Sequence, residues 1–185
     1  MKKIINSLLL LLSMTFSYHS MALVKGADIS WITQMEDSGY EFYNDWGYRQ
    51  DVLSILRDHG MSAVRLRVWV NPSDGYYSSI DDVIIKAQWA KAANMDVMID
   101  FHYSDTWADP GNQWKPSAWS SLSFEQLMGE VWSYTKTSLE ALRNAGITPK
   151  WIQVGNETNN GMLWYEGMAS NNMRNYAWLF NSGRN

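Results

Sequence analysis

Strand-like and helix-like segments alternate four times along this chain, and each strand-like segment carries polar groups on one parity toward its carboxyl end. The strand-like runs cover 24–30, 63–70, 96–102 and 151–157. Apolar residues at helical spacing (Val52, Leu53, Leu56) predict a helix over 45–59, stopped by Gly60. A second helix is predicted over 79–94, with Ser79 as its cap and Asp81 and Asp82 in its first turn. A third covers 124–144 and is closed by Gly146, and 172–182 begins a fourth. Strand followed by helix, repeated, implies parallel strands joined by crossovers.

Both a doubly wound sheet and a barrel can begin this way, and polarity separates them. Successive side chains of a strand point to opposite faces. One parity of the four runs gives Asp28 and Ser30, Arg65 and Arg67, Asp100 and His102, and Gln153 and Glu157. The other gives Ile29, Val64, Leu66, Val68, Val97, Ile99, Ile152 and Val154. A doubly wound sheet is covered by helices on both faces and reads apolar on both. A barrel interior that turns polar at its carboxyl end, where active sites sit, fits better. No glycine-rich phosphate loop follows the first strand, which argues further against nucleotide binding. The expected fold is therefore α/β, a (β/α)8 TIM barrel of which this chain carries the first four βα units. A complete barrel needs about 250 residues, so the chain is expected to be truncated, with residues 23–185 the N-terminal half of one domain. A half-barrel that dimerises is the alternative. An open half would leave two strand edges and a polar lumen exposed, and is not expected to fold cooperatively alone.

The first 22 residues stand apart. Met1-Lys2-Lys3 is basic, Leu8 to Leu12 are five consecutive leucines, and Ser20-Met21-Ala22 places small residues at −3 and −1 of a cleavage site. This is the pattern of a secretory signal peptide. The expected product is secreted or periplasmic, without a membrane association after cleavage. With no cysteine in the chain, disulfides, thiolate metal sites and a cysteine nucleophile are excluded. A net charge of −4 argues against nucleic acid as a partner.

Eleven Trp and ten Tyr stand against five Phe. Rings with a polar tip suit surfaces that are half apolar and half wet, as sugars require, and also suit an aromatic-rich core. Trp107, Trp114, Trp119 and Trp164 fall in loops after the third and fourth strands, at the mouth of a barrel, and Trp107 and Trp164 are read as sugar-stacking platforms. Trp46, Trp89, Trp132 and Trp178 are assigned to helices and to core packing. Trp69 fits either role. Tyr76-Tyr77 and Asn159-Asn160-Gly161 read first as turn chemistry.

Gly155-Asn156-Glu157 ends the fourth strand. A strand-end carboxylate beside an amide suits glycoside hydrolysis, in which one carboxyl group protonates the leaving oxygen and a second attacks the sugar or activates water. Asn-Glu alone is a common dipeptide and also suits a helix start. Four longer blocks narrow the choice: Gly26-Ala27-Asp28-Ile29-Ser30-Trp31, Val64 through Pro72 (VRLRVWVNP), Asp100 through Gly111 (DFHYSDTWADPG), and Gln153-Val154-Gly155-Asn156-Glu157. In this order they resemble the arabinogalactan endo-β-1,4-galactanases of glycoside hydrolase family 53, over essentially the whole of residues 26–184.

That resemblance implies a retaining hydrolase of galactan with Glu157 as acid/base, Asn156 as partner of the sugar 2-hydroxyl, and a nucleophilic Glu on a seventh strand that this chain does not contain. It also places Arg67 near that nucleophile, whose ionised form a guanidinium favours. Asp28, Asp100, His102, Trp107 and Trp164 complete the expected substrate-binding set. For Arg65, and as an alternative for Arg67, ion pairing with Asp28 or Asp100 is the competing role. His102 with Asp100 and Asp105 is a weak metal cluster, and no metal or cofactor is expected in this chain. Whether calcium binds in the other half is not legible here. Thr158 stands where many relatives carry isoleucine. The full-length protein is expected to be a monomer acting on a polysaccharide. A β-1,4-glucanase or xylanase of the same clan, and a non-catalytic sugar-binding remnant, are the alternatives.

Overall fold

A computed structural model describes residues 23–73 and 75–184; the leader read at 1–22 lies outside the described residues. The elements, in order, are β1 (Gly26–Asp28), α1 (Ile32–Asp37), α2 (Val52–Asp58), β2 (Ala63–Val68), α3 (Ile80–Ala92), β3 (Asp96–Phe101), a 3₁₀ turn (Ser117–Trp119), α4 (Phe124–Asn144), β4 (Trp151–Val154) and α5 (Ala169–Arg184).

The four strands form one parallel sheet in the order β1-β2-β3-β4. Each crossover moves one place in the same direction, as a barrel winds, without the reversal that defines a doubly wound sheet. The register aligns Asp28 with Arg65, Arg67 with Asp100, and Asp100 with Gln153, so the polar parities share one face. On the other face Val64, Leu66, Val68, Val97, Ile99 and Phe101 are buried with Val83, Ala87 and Ala90 of α3 and Leu127 and Val131 of α4. Burial of apolar area on this one side is the main stabilising term, at roughly 25 cal/mol per Å².

Local signals set most boundaries. Asp51, Ser79 and Ser123 each accept a hydrogen bond from the third backbone N–H of the helix they cap, and Ser123 with Gln126 forms a reciprocal capping box. The helix expected over 45–59 is half that length, because 44–50 form a tight turn. There Asn44 Oδ1 accepts from the N–H groups of Trp46 and Tyr48, and Asp51 starts the helix afterwards. α1 was not legible; it has no side-chain cap and no acidic first turn. α5 is broken at Asn172 (φ −154°, ψ 90°), whose Oδ1 accepts from Asn175 N, so the second segment begins where the sequence placed it.

The core assignment of four tryptophans is corrected. Trp46 is 78% exposed and lies in the turn rather than on a helix, and Trp89, Trp132 and Trp178 are 36–48% exposed on helix flanks. Trp132 borders, with Leu139, Ile147 and Ile152, a hollow of about 560 Å³ between α4, α5 and the free edge of β4. Among the described residues no helix is long and apolar enough to cross a membrane.

Candidate active site

The polar face of the sheet is a ladder of paired charges. Arg65 on β2 donates through Nη1 to Asp28 Oδ2 on β1 and through Nη2 to Asp100 Oδ2 on β3, each at 2.5 Å. The same Nη2 donates to Oδ1 of Asn156 at 2.7 Å. Burial by itself would raise the Asp28 carboxyl, but hydrogen bonds from the Ser30 hydroxyl and amide, with the Arg65 guanidinium, outweigh it and hold the group below the ordinary aspartate value. Of the two roles open to Arg65, ion pairing is the one its contacts describe.

His102 follows β3 and is buried. Its Nδ1 accepts from Trp69 Nε1 at 3.1 Å and from the Ala108 amide at 3.3 Å, so its partners place the proton on Nε2, 2.9 Å from Asp100 Oδ2. Asp105 is no partner of this pair. It accepts from the amide of Asn71 and from the amide and hydroxyl of Ser117, tying two loops together.

Arg67 is almost wholly buried. Its guanidinium carbon lies 4.8, 4.6 and 4.5 Å from the ring centroids of Trp31, Trp69 and Trp107. Facing a cation with ring quadrupoles is worth about 0.5–2 kcal/mol per contact, more when desolvated. Trp69, open to either role, is thereby a wall of this cage and the donor to His102. Trp107 is 39% exposed and meets Trp31 and Trp69 in T-shaped contacts.

β4 ends at Val154, three residues before the predicted boundary, because Gly155 turns the chain at φ +80°. A Cβ there would come within 2.5 Å of the Thr158 methyl. Glu157 is therefore carried on a turn, not on strand parity, with φ +48°, a left-handed conformation that costs a non-glycine residue of order 1 kcal/mol. Glu157 is exposed and Asn156 buried. The Asn156 amide is fixed on both sides, Oδ1 by Arg65 and Gln153 and Nδ2 by the Ala108 carbonyl at 2.7 Å. Thr158 turns its hydroxyl toward Tyr176 on α5, at 2.9 Å.

Two contributors were given no role by the sequence. Gln113, 2% exposed, donates through Nε2 to the Asn156 carbonyl at 2.7 Å and to the Asp109 carbonyl at 3.1 Å, pinning the long loop after β3 to the turn that carries Glu157. Trp31 completes the Arg67 cage from the start of α1. Trp164 is set apart from the Trp107 group: half-buried, it donates to the Asn160 carbonyl and meets Trp114 edge-on at 5.9 Å. Trp119 is buried under α4, not a mouth residue.

Among the described residues no cluster of His, Asp or Glu has the arrangement to hold a metal ion. The unit thus offers a fixed amide, an exposed carboxylate beside it, a caged guanidinium and exposed indoles around one charged, convergent face.

The family model described as glycosyl hydrolase family 53 matches residues 24–185. A probable arabinogalactan endo-β-1,4-galactanase A of Aspergillus terreus is 43% identical over 159 residues, covering 86% of this chain and 45% of its own. The endo-β-1,4-galactanase of Bacillus subtilis strain 168 is 40% identical over 167 residues, covering 86% and 38%. Among solved structures, the GH53 catalytic domain of Ignisphaera aggregans superposes with a TM-score of 0.82 at 35% identity, over 87% of this chain and 46% of that one. One of two fungal β-1,4-galactanases gives 0.82 at 41% identity, over 86% and 47%. The chain spans less than half the length of each of these four relatives.

Proposed function

The chain belongs to glycosyl hydrolase family 53, and from that premise we propose that the whole protein is an exported endo-β-1,4-galactanase whose acid/base half this chain supplies. The observation that carries the proposal is the turn Gly155-Asn156-Glu157, where Arg65 and Ala108 lock Asn156 and leave Glu157 exposed at the end of β4. Four relatives or neighbours that align over most of the chain are named as galactanases or GH53 domains.

In this mechanism Glu157 gives its proton to the glycosidic oxygen as that bond breaks and a second carboxylate, from the other half of the barrel, bonds to the sugar carbon. Glu157, now a carboxylate, takes a proton from water as the water displaces the enzyme carboxylate and releases the sugar. Such a pair stands about 5–5.5 Å apart in retaining enzymes. The Asn156 amide, held rigid before substrate arrives, presents a fixed dipole to the 2-hydroxyl with little reorganisation. Arg67 brings a positive charge to the region of the second carboxylate, favouring its ionised form. Trp107, and more distantly Trp164, offer ring faces to the polysaccharide.

The test is hydrolysis by the full-length protein. Release of oligosaccharides from β-1,4-galactan, with at least about 10²-fold slower turnover in Glu157→Gln, is expected from the usual contribution of a general acid. Products from glucan or xylan but none from galactan would refute the substrate class; undiminished rate in Glu157→Gln would remove the residue from the role. A second reading is favoured by the exposed Trp31, Trp107 and Trp114: residues 23–185 alone bind galactan without cleaving it. Calorimetric titration of that fragment with galactan decides it, since an absence of heat excludes binding.

A further inference from the structure

Lys86 and Asp82, one turn apart on α3, are completely buried and paired at 2.6 Å. For stability alone this is an indifferent choice: desolvation offsets most of the Coulombic gain, and a well-packed apolar pair often does as well. Burial pulls the Lys86 ammonium below the ordinary lysine value, and Asp82 only partly restores it. What the pair does provide is direction. Lys86 Nζ donates to the Ser30 carbonyl at 2.7 Å, in the turn after β1. Asp82 Oδ2 accepts from the Ser78 amide at 2.6 Å, in the turn before α3, where Ser78 is held at φ +69°. Both serines then meet Arg67. The Ser30 hydroxyl accepts from the Arg67 amide at 2.9 Å, while donating to Asp28 at 2.6 Å. The Ser78 hydroxyl accepts from Arg67 Nε at 3.0 Å.

Arg67 is therefore held at its backbone N–H and at Nε by two serines, and both serines are tied to one ion pair on α3. Indole faces alone would hold a guanidinium near them without setting its rotation, because the attraction to a ring quadrupole is broad in angle. The hydrogen bond at Nε adds a direction that the rings do not supply.

We propose that Lys86 and Asp82 are positioning residues, which act through Ser30 and Ser78 to set the orientation of Arg67 within its tryptophan cage for the hydrolytic step. The proposal rests on the galactanase reading above. A misplacement of about 1 Å at a reacting centre can cost on the order of 10²-fold in rate.

The test uses the full-length protein and galactan. Lys86→Met is expected to lower kcat by about 10²-fold with KM within about twofold, the signature of lost transition-state contacts rather than lost binding. In an Arg67→Lys background, which already lacks the Nε bond, the same change is expected to cost less than about threefold more, because coupled residues are not additive. Ser78→Gly keeps the left-handed backbone and removes only the hydroxyl, so it gives the same kcat loss even if Lys86→Met does not fold. Wild-type kcat in folded Lys86→Met or in Ser78→Gly overturns the proposal, as do losses that multiply fully in the double variant. Glu157→Gln run alongside separates the two ideas. If it keeps the wild-type rate, the hydrolytic reading falls and this proposal with it. If it is inactive while Lys86→Met and Ser78→Gly are at full kcat, the positioning role alone falls.

Discussion

Arg65 donates to Oδ1 of Asn156 at 2.7 Å across 91 positions of sequence, so the amide beside Glu157 is oriented from β2 rather than from its own strand. The same guanidinium is shared with Asp28 and Asp100, and the three carbonyl or carboxylate partners compete for one rigid fork of donors.

Arg65→Met should therefore destabilise and disorient together. Removing one partner of a fully buried pair costs about 3–5 kcal/mol; Arg65 and Asp28 are partly solvated, so a loss of roughly 2–3 kcal/mol is expected, read from denaturant midpoints at constant slope. Arg65→Lys keeps the charge but not the fork, and should recover less than half of the lost stability. Equal stability of Arg65→Met and wild type would show the ladder to be energetically idle.

Two helix glycines should respond with opposite signs to alanine. A Cβ on Gly183 of α5 would lie 2.4 Å from the Tyr103 hydroxyl and 2.8 Å from a Val154 methyl, so Gly183→Ala must push α5 off the sheet, at roughly 1–3 kcal/mol. Gly129, on the exposed side of α4, has nothing within 4 Å of a new Cβ, and Gly129→Ala should stabilise by about 0.5–1 kcal/mol. Thermal melts of both variants check the pair; a stabilised Gly183→Ala would mean that α5 does not pack as closely as described.

Acid should weaken the protein through Asp28. Its carboxyl is depressed in the folded state, so its contribution is present above the unfolded aspartate value, near 3.9, and is lost as pH falls through the lower folded value. Asp28→Asn should accordingly show a smaller loss of stability than wild type as pH falls below about 4. Parallel acid-unfolding curves for the two proteins would contradict this.

Alkali acts through buried tyrosines with the opposite sign. Burial raises Tyr103 and Tyr134 well above the usual tyrosine value, despite the Thr135 and Ser138 hydroxyls beside them. A raised folded value means stability is intact below the unfolded value near 10 and declines as pH rises beyond it. Absorbance at 295 nm should show the exposed tyrosines ionising first, then a cooperative step coincident with loss of far-ultraviolet circular dichroism. Full tyrosine ionisation with the circular dichroism intact would refute it.

The strand parities, the cap at Ser79 and the glycine stops were legible because they rest on neighbours within a few positions: a period of two, a side chain reaching its own helix, a left-handed residue. The same locality limited the reading. The strand-like run 151–157 looked continuous, and only the turn at Gly155 shows that Glu157 leaves the strand. Asp45 and Trp46 looked like a helix start because the Asn44 side chain, which captures the turn, weighs little in a periodicity count. The four tryptophans assigned to the core are large and apolar enough for it, but their exposure depends on which flank of each helix meets a neighbour.

What the sequence determined by itself is the alternation of strand and helix, the single polar face and the asparagine–glutamate pair at the fourth strand's end, all set by local periodicity and by residue chemistry. Which charge meets which was decided only in three dimensions. Arg65 and Arg67 share a strand and a parity, yet one is bound to carboxylates and the other enclosed by indoles, because β1, β3 and the loops after them bring Asp28 and Asp100 to the first, and Trp31 and Trp107 to the second beside Trp69 of its own strand end. Such partners come from distant segments, and the free energy of each arrangement depends on burial and distance that no spacing within one strand encodes.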